Sequence, residues 1–389
     1  MKMTLLTNAM APYRTPVFER IAARGDVELS VLVCTGREAD RHWQQAPAAR
    51  GFEVRRLRGW TLNVRRRSGE IARIVHFRPE VIPWLRRHRP DVAILGDASW
   101  TSYLAAWACR RLGIPYVWWS EVLPTTRLSG GLVQRIRRRS ILGAEGWLAS
   151  GRLATQFLVQ QGVAARRIRC ALNSVDAKLY SRLREKWRGR RGEIRRRYGI
   201  PEEGYALLYV GKLIPRKRVL ELLRAAAGVD AAVRPIHLLM AGSGPLRRTL
   251  QSEAARLGYS RLSLLGFLEP AELAPCYTAA DGLALPSDDE PWGMVVNEAL
   301  LFGKPVLASD RVGAAADVVD ERTGVVIHDV STEGIRRGLV DFTGRAFSEK
   351  DCLRRAATAT PEKMATEFVL AAREAVARRT ETKRRKRAA

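Results

Sequence analysis

Along this chain, short apolar runs alternate with longer stretches whose apolar positions return at helical spacing, the pattern of a doubly wound α/β protein. In the first half the predicted strands are KMTLLTNA, ELSVLVCTG, DVAILGD, YVWWSE and GWLASG, with helical segments such as TPVFERIAARG and WTSYLAAWACRRLG between them. The rhythm restarts in the second half with YALLYVGKL, IHLLMAGSG, LSLLGFL, GLALPSD, KPVLASD and GVVIHD. Between the halves, SRLREKWRGRRGEIRRRYGIPEEG is charged and poor in apolar residues, and reads as a junction with a helix leading into the second domain. Two Rossmann-like halves are expected, and no short-period repeat.

Composition agrees with that division. A chain of 389 residues fits two domains of ordinary size. A content of 46% hydrophobic and 28% charged residues belongs to a globular protein rather than a disordered one. No apolar run approaches the roughly 20 residues of a membrane-spanning helix, and MKMTLLTNAMAPYR lacks the sustained apolar region of a signal peptide, so the protein is expected in the cytoplasm. Cys34, Cys109, Cys170, Cys276 and Cys352 are scattered without a CxxC pair, and the histidines are equally dispersed. Neither a disulfide framework nor a metal site is indicated, and most of the cysteines read as small core residues.

Charge changes the picture more. There are 67 basic and 40 acidic residues, a formal net charge of +27. The excess is mostly arginine, in runs at Arg65 to Arg67, in RIRRRS from Arg135, in RGRRGEIRRR from Arg188 and in the tail ETKRRKRAA. Such a field attracts nucleic acid, anionic lipid head groups or phosphorylated substrates, although an arginine-rich composition with solvated faces gives the same totals. No zinc finger, RNP sequence or basic-region heptad pattern accompanies the charge, which argues against a specific nucleic-acid partner. The segment SGGLVQRIRRRSILGAEGWLAS, helical from about Leu132, sets Leu132, Ile136, Ile141 and Leu142 among cations. That fits either an interfacial helix on an anionic membrane or a domain helix with its apolar stripe on the core.

Candidate chemistry gathers at strand ends, where open parallel sheets bind ligands. YVGKLIPRKRVLELLRAAA puts Gly211 at a strand end, with Lys212 and Lys217 around a loop that opens into a helix. LLMAGSGPLRRTL repeats the arrangement with Gly242, Gly244 and Pro245. Glycine lets backbone approach a ligand, helix N-termini favour anions and lysine adds full positive charge, so the two loops together indicate a nucleotide diphosphate. Further on, LPSDDEPWGMVVNEALLFGKPVLASD carries Glu290 and Glu298 eight residues apart. Were both helical they would stand roughly 12 Å apart along the axis, farther than the about 5 to 9.5 Å of a glycosidase carboxylate pair. A loop over DDEPWG and a helix from near Gly293 fit better. Glu290 then faces the ligand with the amides of Gly293, Met294 and Val295, and Glu298 lies about one and a half turns further in. A loop acid can accept from sugar hydroxyls and a deeper one from a ribose; a helix N-terminus that merely favours acids is the plainer alternative.

The stretches VGKLIPRKRVLELLRA, LLMAGSGPLRRTL, LLGFLEPAELAPCYTAADGLALPS and EPWGMVVNEALLFGKPVLAS, in this order, resemble the motifs of retaining nucleotide-sugar glycosyltransferases of the GT-B fold, family 4. NAMAPYRTPVFERIA and CALNSVDAKLY look like that family's acceptor-side loop and inter-domain segment, and TPEKMATEFVLAAREAV like its terminal helix. The resemblance covers essentially the whole chain. It implies two Rossmann-like domains facing a central cleft: an acceptor-binding domain over 1–180, a basic junction over 181–200 and a nucleotide-sugar domain over 201–360. A helix over 361–378 would cross back to the first domain and a basic tail would occupy 379–389.

By the same resemblance, Lys212 and Lys217 bind the donor pyrophosphate and stabilise the charge developing on the leaving nucleotide. Glu290, with the amides from Gly293 to Val295, would hold the donor sugar, and Glu298 the ribose. Gly211, Gly242 and Gly244 would shape the phosphate loops, Leu265 would lie near the base, and Pro12, Tyr13 and Arg14 would sit on the acceptor side. The implied reaction moves a sugar from a UDP- or GDP-linked donor to an acceptor hydroxyl with retention, on the front face of the sugar, without a cofactor or a required metal. The implied acceptors are glycans or lipid-linked glycans of exopolysaccharide, capsule, O-antigen or glycolipid assembly, with an anionic membrane surface as a candidate partner on the inner face of the cell membrane.

Three departures from the family pattern matter. Lys212 stands where many relatives carry arginine, which keeps the charge and loses the bidentate fork. APYR replaces a glycine pair, as in members that build cell-surface polysaccharides. VWWSEVLPTTR has no histidine where many relatives have one near the donor sugar; Ser120 or Glu121 takes that neighbourhood, and Glu121 becomes the candidate for contacting sugar or acceptor. Two other classes compete: a GT-B enzyme that epimerises or phosphorolyses its sugar, and a nucleic-acid-binding protein, which would leave Glu290, Glu298 and the glycine loops without a purpose.

Overall fold

The computed structural model describes residues 1–36, 51–65, 71–96, 99–126, 130–229 and 235–388. Arg66 and Arg67 of the first arginine run, Asp97 at the end of the third predicted strand, Ser129 ahead of the basic helix and Ala389 of the tail lie outside them. The chain divides into two compact units, Met1–Leu172 with Pro361–Ala389, and Asn173–Thr360.

The first unit is built on β1 (Lys2–Thr7), β2 (Glu28–Val33), β3 (Glu53–Arg56), β4 (Trp60–Arg65), β5 (Ile71–Phe77), β6 (Val92–Leu95), β7 (Tyr116–Ser120), β8 (Gly146–Ala149) and β9 (Ile168–Cys170). Seven of these form one parallel sheet in the order β3-β2-β1-β6-β7-β8-β9. Its predicted strands are continuous apolar runs because both faces are covered. Successive side chains enter opposite cores: Ala93, Leu95 and Trp118 join one cluster, while Val92, Ile94 and Trp119 join the other. The pattern misses β3, β9 and the pair β4 and β5. β3 reads EVRR and is exposed throughout, and β4 and β5 make a separate antiparallel hairpin. Trp60 and Leu62, both on one face of that hairpin, are 68% and 64% exposed, and Trp60 stacks on Phe77 at 5.8 Å.

The terminal helix, Pro361–Ala388, belongs to this unit. Phe368, Val369 and Ala372 enter the core that Val17, Phe18 and Ile21 of the helix Thr15–Ala22 also fill, and Phe368 meets Trp119 edge-on at 4.9 Å. Arg169 binds Glu367 at 2.7 Å and Glu374 at 2.6 Å, and Arg379 binds Glu145 at 3.1 Å, so much of the basic charge here is paired within the fold.

The basic segment predicted from Leu132 is a helix over Gly131–Leu142, packed on the core as a domain helix. Ile141 is fully buried and Ile136 packs on the core, whereas Leu132 and Leu142 face outward. Four cysteines are buried, Cys170 is exposed, and all five are free thiols.

The second unit carries β10 (Tyr205–Val210), β11 (Ile236–Ala241), β12 (Leu262–Gly266), β13 (Gly282–Leu285), β14 (Val306–Ser309) and β15 (Gly324–Ile327), all six at predicted positions. They form a parallel sheet in the order β12-β11-β10-β13-β14-β15. The basic stretch before β10 folds as the helices Ala177–Trp187 and Arg191–Arg197. Arg191 and Arg195 bind Asp281 at 2.6 and 3.4 Å, which ties this segment to the second unit.

Removing the Phe368 ring should cost about 3–5 kcal/mol, the range for a large aromatic deleted from a packed core. A urea melt of Phe368→Ala followed by circular dichroism checks this, and a loss under 1 kcal/mol would show that the terminal helix is not part of the first unit's core.

Candidate active site

The second sheet reverses its strand order between β10 and β13, and a doubly wound sheet binds ligands beyond the carboxyl ends of its strands at that point. Two loops border the position, Gly211–Arg218 after β10 and Pro286–Gly293 after β13. Lys217 lies in the turn Pro215–Lys217, and its ammonium is ion-paired with the carboxylate of Glu290. The two side chains are 7% and 19% exposed, so each supplies the countercharge that the other needs in a poorly solvated place.

Neighbouring contacts lock the two loops. Arg218 binds Asp288 at 2.6 Å and Arg311 binds the same carboxylate at 2.9 Å. Arg216 donates to the carbonyl of Asp289 at 2.8 Å, and the amide of Asp288 donates to the carbonyl of Arg216 at 2.8 Å. The amide of Glu290 donates to the Arg311 carbonyl, and the Gly313 amide to that of Glu290. Lys212 is half-buried, its carbonyl accepting from the buried Tyr209 hydroxyl at 2.8 Å.

The glycines have a more local reason than the sequence suggests. A Cβ at Gly242 would run into the carbonyl oxygen of Gly211, and one at Gly244 into that of Leu213. The loops after β10 and β11 lie backbone against backbone: the Gly211 amide donates to Ala241 and the Leu213 amide to Ser243, each at 2.9 Å. Leu265 stands half-buried at the end of β12 beside this pair.

The helix Met294–Leu301 starts where the sequence places it, with Gly293 at φ +90°. No side chain caps it and its first turn holds no acid, so the backbone leaves donors for an anion there. Glu298, further along, is buried and accepts from the Tyr277 hydroxyl at 2.9 Å, with the Tyr180 hydroxyl also near it. Burial pushes its carboxyl pKa up, against the pull of the two hydroxyls. Asn297 accepts from the Trp292 indole at 2.7 Å and donates to the Asn173 carbonyl at 3.3 Å, which anchors the DEPWG loop.

In the first unit, Arg14 is buried at the end of the loop after β1. It binds Glu121 beyond β7 at 2.8 Å, donates to the Thr7 hydroxyl and lies 4.7 Å over the Trp119 ring. The two residues that the sequence proposes separately, one for the acceptor side and one for the missing histidine, are therefore one ion pair. Pro12 and Tyr13 beside them are half-buried.

Sequence reasoning missed Arg216, Arg218, Asp288, Arg311, Asn297, Tyr180 and Tyr277. For the arginines the signal was present in the run PRKR and its distance from SDDE, but a charge run does not disclose its partners. Nothing local marks the tyrosines, which approach Glu298 from two other helices. Among the described residues no group of three histidine, cysteine or acidic side chains could hold a metal, and no helix is long and apolar enough to cross a membrane.

A doubly wound unit with cations, glycine loops and an uncapped helix at its switch point, next in the chain to another Rossmann-like unit, defines a two-unit α/β protein. Residues 190–344 match the family described as Glycosyl transferases group 1. The D-inositol 3-phosphate glycosyltransferase of Thermomonospora curvata is 30% identical over 349 residues, covering 82% of this chain and 79% of that protein. The chain belongs to the group 1 glycosyltransferases. Its fold is that of Anabaena Alr3699/HepE in complex with UDP and glucose (TM-score 0.67, 17% identity, 95% of this chain and 98% of that one). It is equally that of the lipopolysaccharide outer core galactosyltransferase WaaB in its apo form (TM-score 0.70, 16% identity, 95% and 99%).

Because Lys217 and Glu290 neutralise each other, Lys217→Met and Glu290→Gln should each destabilise the protein, and the double variant should lose less than the sum by about 1–3 kcal/mol. Denaturant melts of the four proteins measure this coupling, and strict additivity would mean that the pair does not exist in solution.

Proposed function

We propose that this glycosyltransferase moves a sugar from a UDP-linked donor to an acceptor hydroxyl with retention of anomeric configuration, the second unit holding the donor. The observation that carries the reading is the Lys217 and Glu290 pair at the strand-order reversal. An arriving diphosphate competes for the Lys217 ammonium and releases the Glu290 carboxylate to accept from sugar hydroxyls. The amides of Met294 and Val295 add partial positive charge, and Lys212 adds a full one. As the bond from the anomeric carbon to the diphosphate lengthens, negative charge grows on the leaving oxygen. Cations already in place stabilise that state more than the ground state. Attack from the face that the diphosphate leaves keeps the configuration, and fixed cations take the role a divalent metal plays elsewhere. Glu298 receives the ribose. The Anabaena neighbour was solved with UDP and glucose, which supports uracil as the base.

A phosphate-bearing acceptor fits the net charge of +27, and the Thermomonospora relative is named for one. Assembly of a lipid-linked glycan at the inner face of the membrane is the form of this reading that also uses the outward Leu132 and Leu142 and the exposed Trp60 and Leu62. Arginines near an anionic surface contribute about 1 kcal/mol each, and tryptophan favours the head-group layer. In the first unit the Arg14 and Glu121 pair stands on the acceptor side.

Thermal shifts with UDP, GDP, ADP and their sugar conjugates test the donor site. UDP compounds should stabilise the wild type, by about 2.7 kcal/mol at a hundredfold excess over Kd, and should not stabilise Lys217→Ala. No shift from any nucleotide at millimolar concentration would overturn the donor reading. Once a donor is known, NMR of the product should show the donor's anomeric configuration and EDTA should leave the rate unchanged; an inverted product or a chelator-sensitive rate would remove the corresponding clause. Flotation with phosphatidylserine vesicles at physiological salt should carry the protein upward, and failure to float would remove the membrane clause alone.

A further inference from the structure

The hairpin of β4 and β5 is turned the unusual way round. An antiparallel sheet with one face in water ordinarily packs its apolar face on the core and shows its polar face to solvent. Here the register sets Trp60 opposite Phe77 and Leu62 opposite Val75, so these four and Val64 share one face. Trp60, Leu62, Val64 and Phe77 are all exposed on it. The opposite side carries the polar contacts that fasten the hairpin to its own unit. The Thr61 hydroxyl accepts from Arg78 at 2.6 Å and stands 3.0 Å from the His76 ring. Arg78 also donates to the Cys34 carbonyl at 2.7 Å, and Thr101 of the helix Trp100–Leu112 donates to the His76 carbonyl at 3.0 Å. His76, Arg78 and Thr101 are buried, so the fastening is firm and the apolar face is held outward by it.

A contiguous exposed apolar face marks an interaction site, and the charge around this one selects the partner. From Val54 to Arg78 the sequence holds eight arginines and one acid, and Arg56 and Arg58 are exposed just ahead of Trp60. A second copy of the chain would bring a like-charged hairpin against this one. Tryptophan and aliphatic side chains flanked by arginine suit the boundary between acyl chains and anionic head groups instead. We propose that the hairpin of β4 and β5 is a membrane wedge: Trp60, Leu62, Val64 and Phe77 insert at the acyl boundary of an anionic leaflet, while Arg56 and Arg58 meet its head groups. The inference rests on the membrane association proposed above. It goes further by giving the insertion to the hairpin rather than to the basic helix Gly131–Leu142. On that helix Leu132 and Leu142 stand roughly 15 Å apart along the axis and form no single patch, whereas alternate residues of a strand adjoin on one face.

Flotation of the full chain with phosphatidylserine and with phosphatidylcholine vesicles tests this on wild type, on Trp60→Ser with Leu62→Ser, and on Leu132→Ser with Leu142→Ser. Wild type should float with phosphatidylserine and keep part of its binding at about 1 M salt, where the Debye length is about 3 Å. The hairpin variant should bind about tenfold more weakly or worse and lose the remainder in that salt, since binding scales with buried apolar area. Its melting temperature should match that of wild type, because the replaced side chains face outward. The helix variant should float like wild type. With brominated phosphatidylserine, tryptophan emission of wild type should be quenched, and that quenching should be lost in Trp60→Phe, which keeps the face apolar and still binds. Equal flotation of the hairpin variant and wild type, or quenching that survives Trp60→Phe, would overturn the inference and leave membrane association standing. A wild type that floats with neither lipid would remove membrane association and the inference together. Sedimentation of wild type as a dimer and of the hairpin variant as a monomer would give the face to a second copy and overturn the wedge. Should the hairpin variant not fold, the quenching of Trp60→Phe decides alone.

Discussion

A lysine ammonium and a glutamate carboxylate, both nearly closed off from water, meet beyond the ends of β10 and β13. Removing one partner leaves an uncompensated charge in a poorly solvated place. Much of the local architecture serves this meeting. Arg216, Arg218 and Arg311 draw the SDDE loop against the turn that carries Lys217, and the backbone of Glu290 is pinned between Arg311 and Gly313. In the proposed donor site, a phosphate that competes for the lysine would free the carboxylate to accept from sugar hydroxyls.

Behind the loops, each sheet places its own groups through features of its strands. Runs such as VAIL and YVWWS are apolar at every position because one set of alternate side chains fills each of two cores. Strand order then decides where loops converge, and the reversal at β10 and β13 brings residue 217 and residue 290 together across more than seventy positions of sequence. The glycine loops contribute by letting two turns lie in backbone contact, a steric requirement that holds whether or not a ligand is present.

Charge, the feature that dominates the composition, divides in the fold into two populations. Arg14, Arg169, Arg191, Arg195 and Arg218 are taken up by carboxylates within their own unit. Others, such as Arg188 and Arg385, lie exposed and pair only with a neighbour on the same stretch, a contact worth little against water and salt. Only the second population shapes the field that an anionic partner meets, so the formal total overstates it.

Sequence by itself determined the alternation of strand and helix, the six strands of the second unit, the helix start at Gly293 and the identities of Lys217, Glu290 and Glu298 as the residues to watch. These are local properties: apolar runs of strand length, and glycine, lysine or acid at a strand end. It missed β3, β9 and the hairpin of β4 and β5; β3 is exposed throughout and residues 60–64 of β4 face solvent, so there the period carries no burial signal. What only the tertiary structure decided is which charges and hydroxyls face each other. That Lys217 binds Glu290, that Arg14 binds Glu121, and that Tyr277 from another helix binds the carboxylate of Glu298 depends on strand order and helix placement. Partnership of this kind is a distance in space, and residue spacing along a chain does not encode it until the sheet has set the order of its strands.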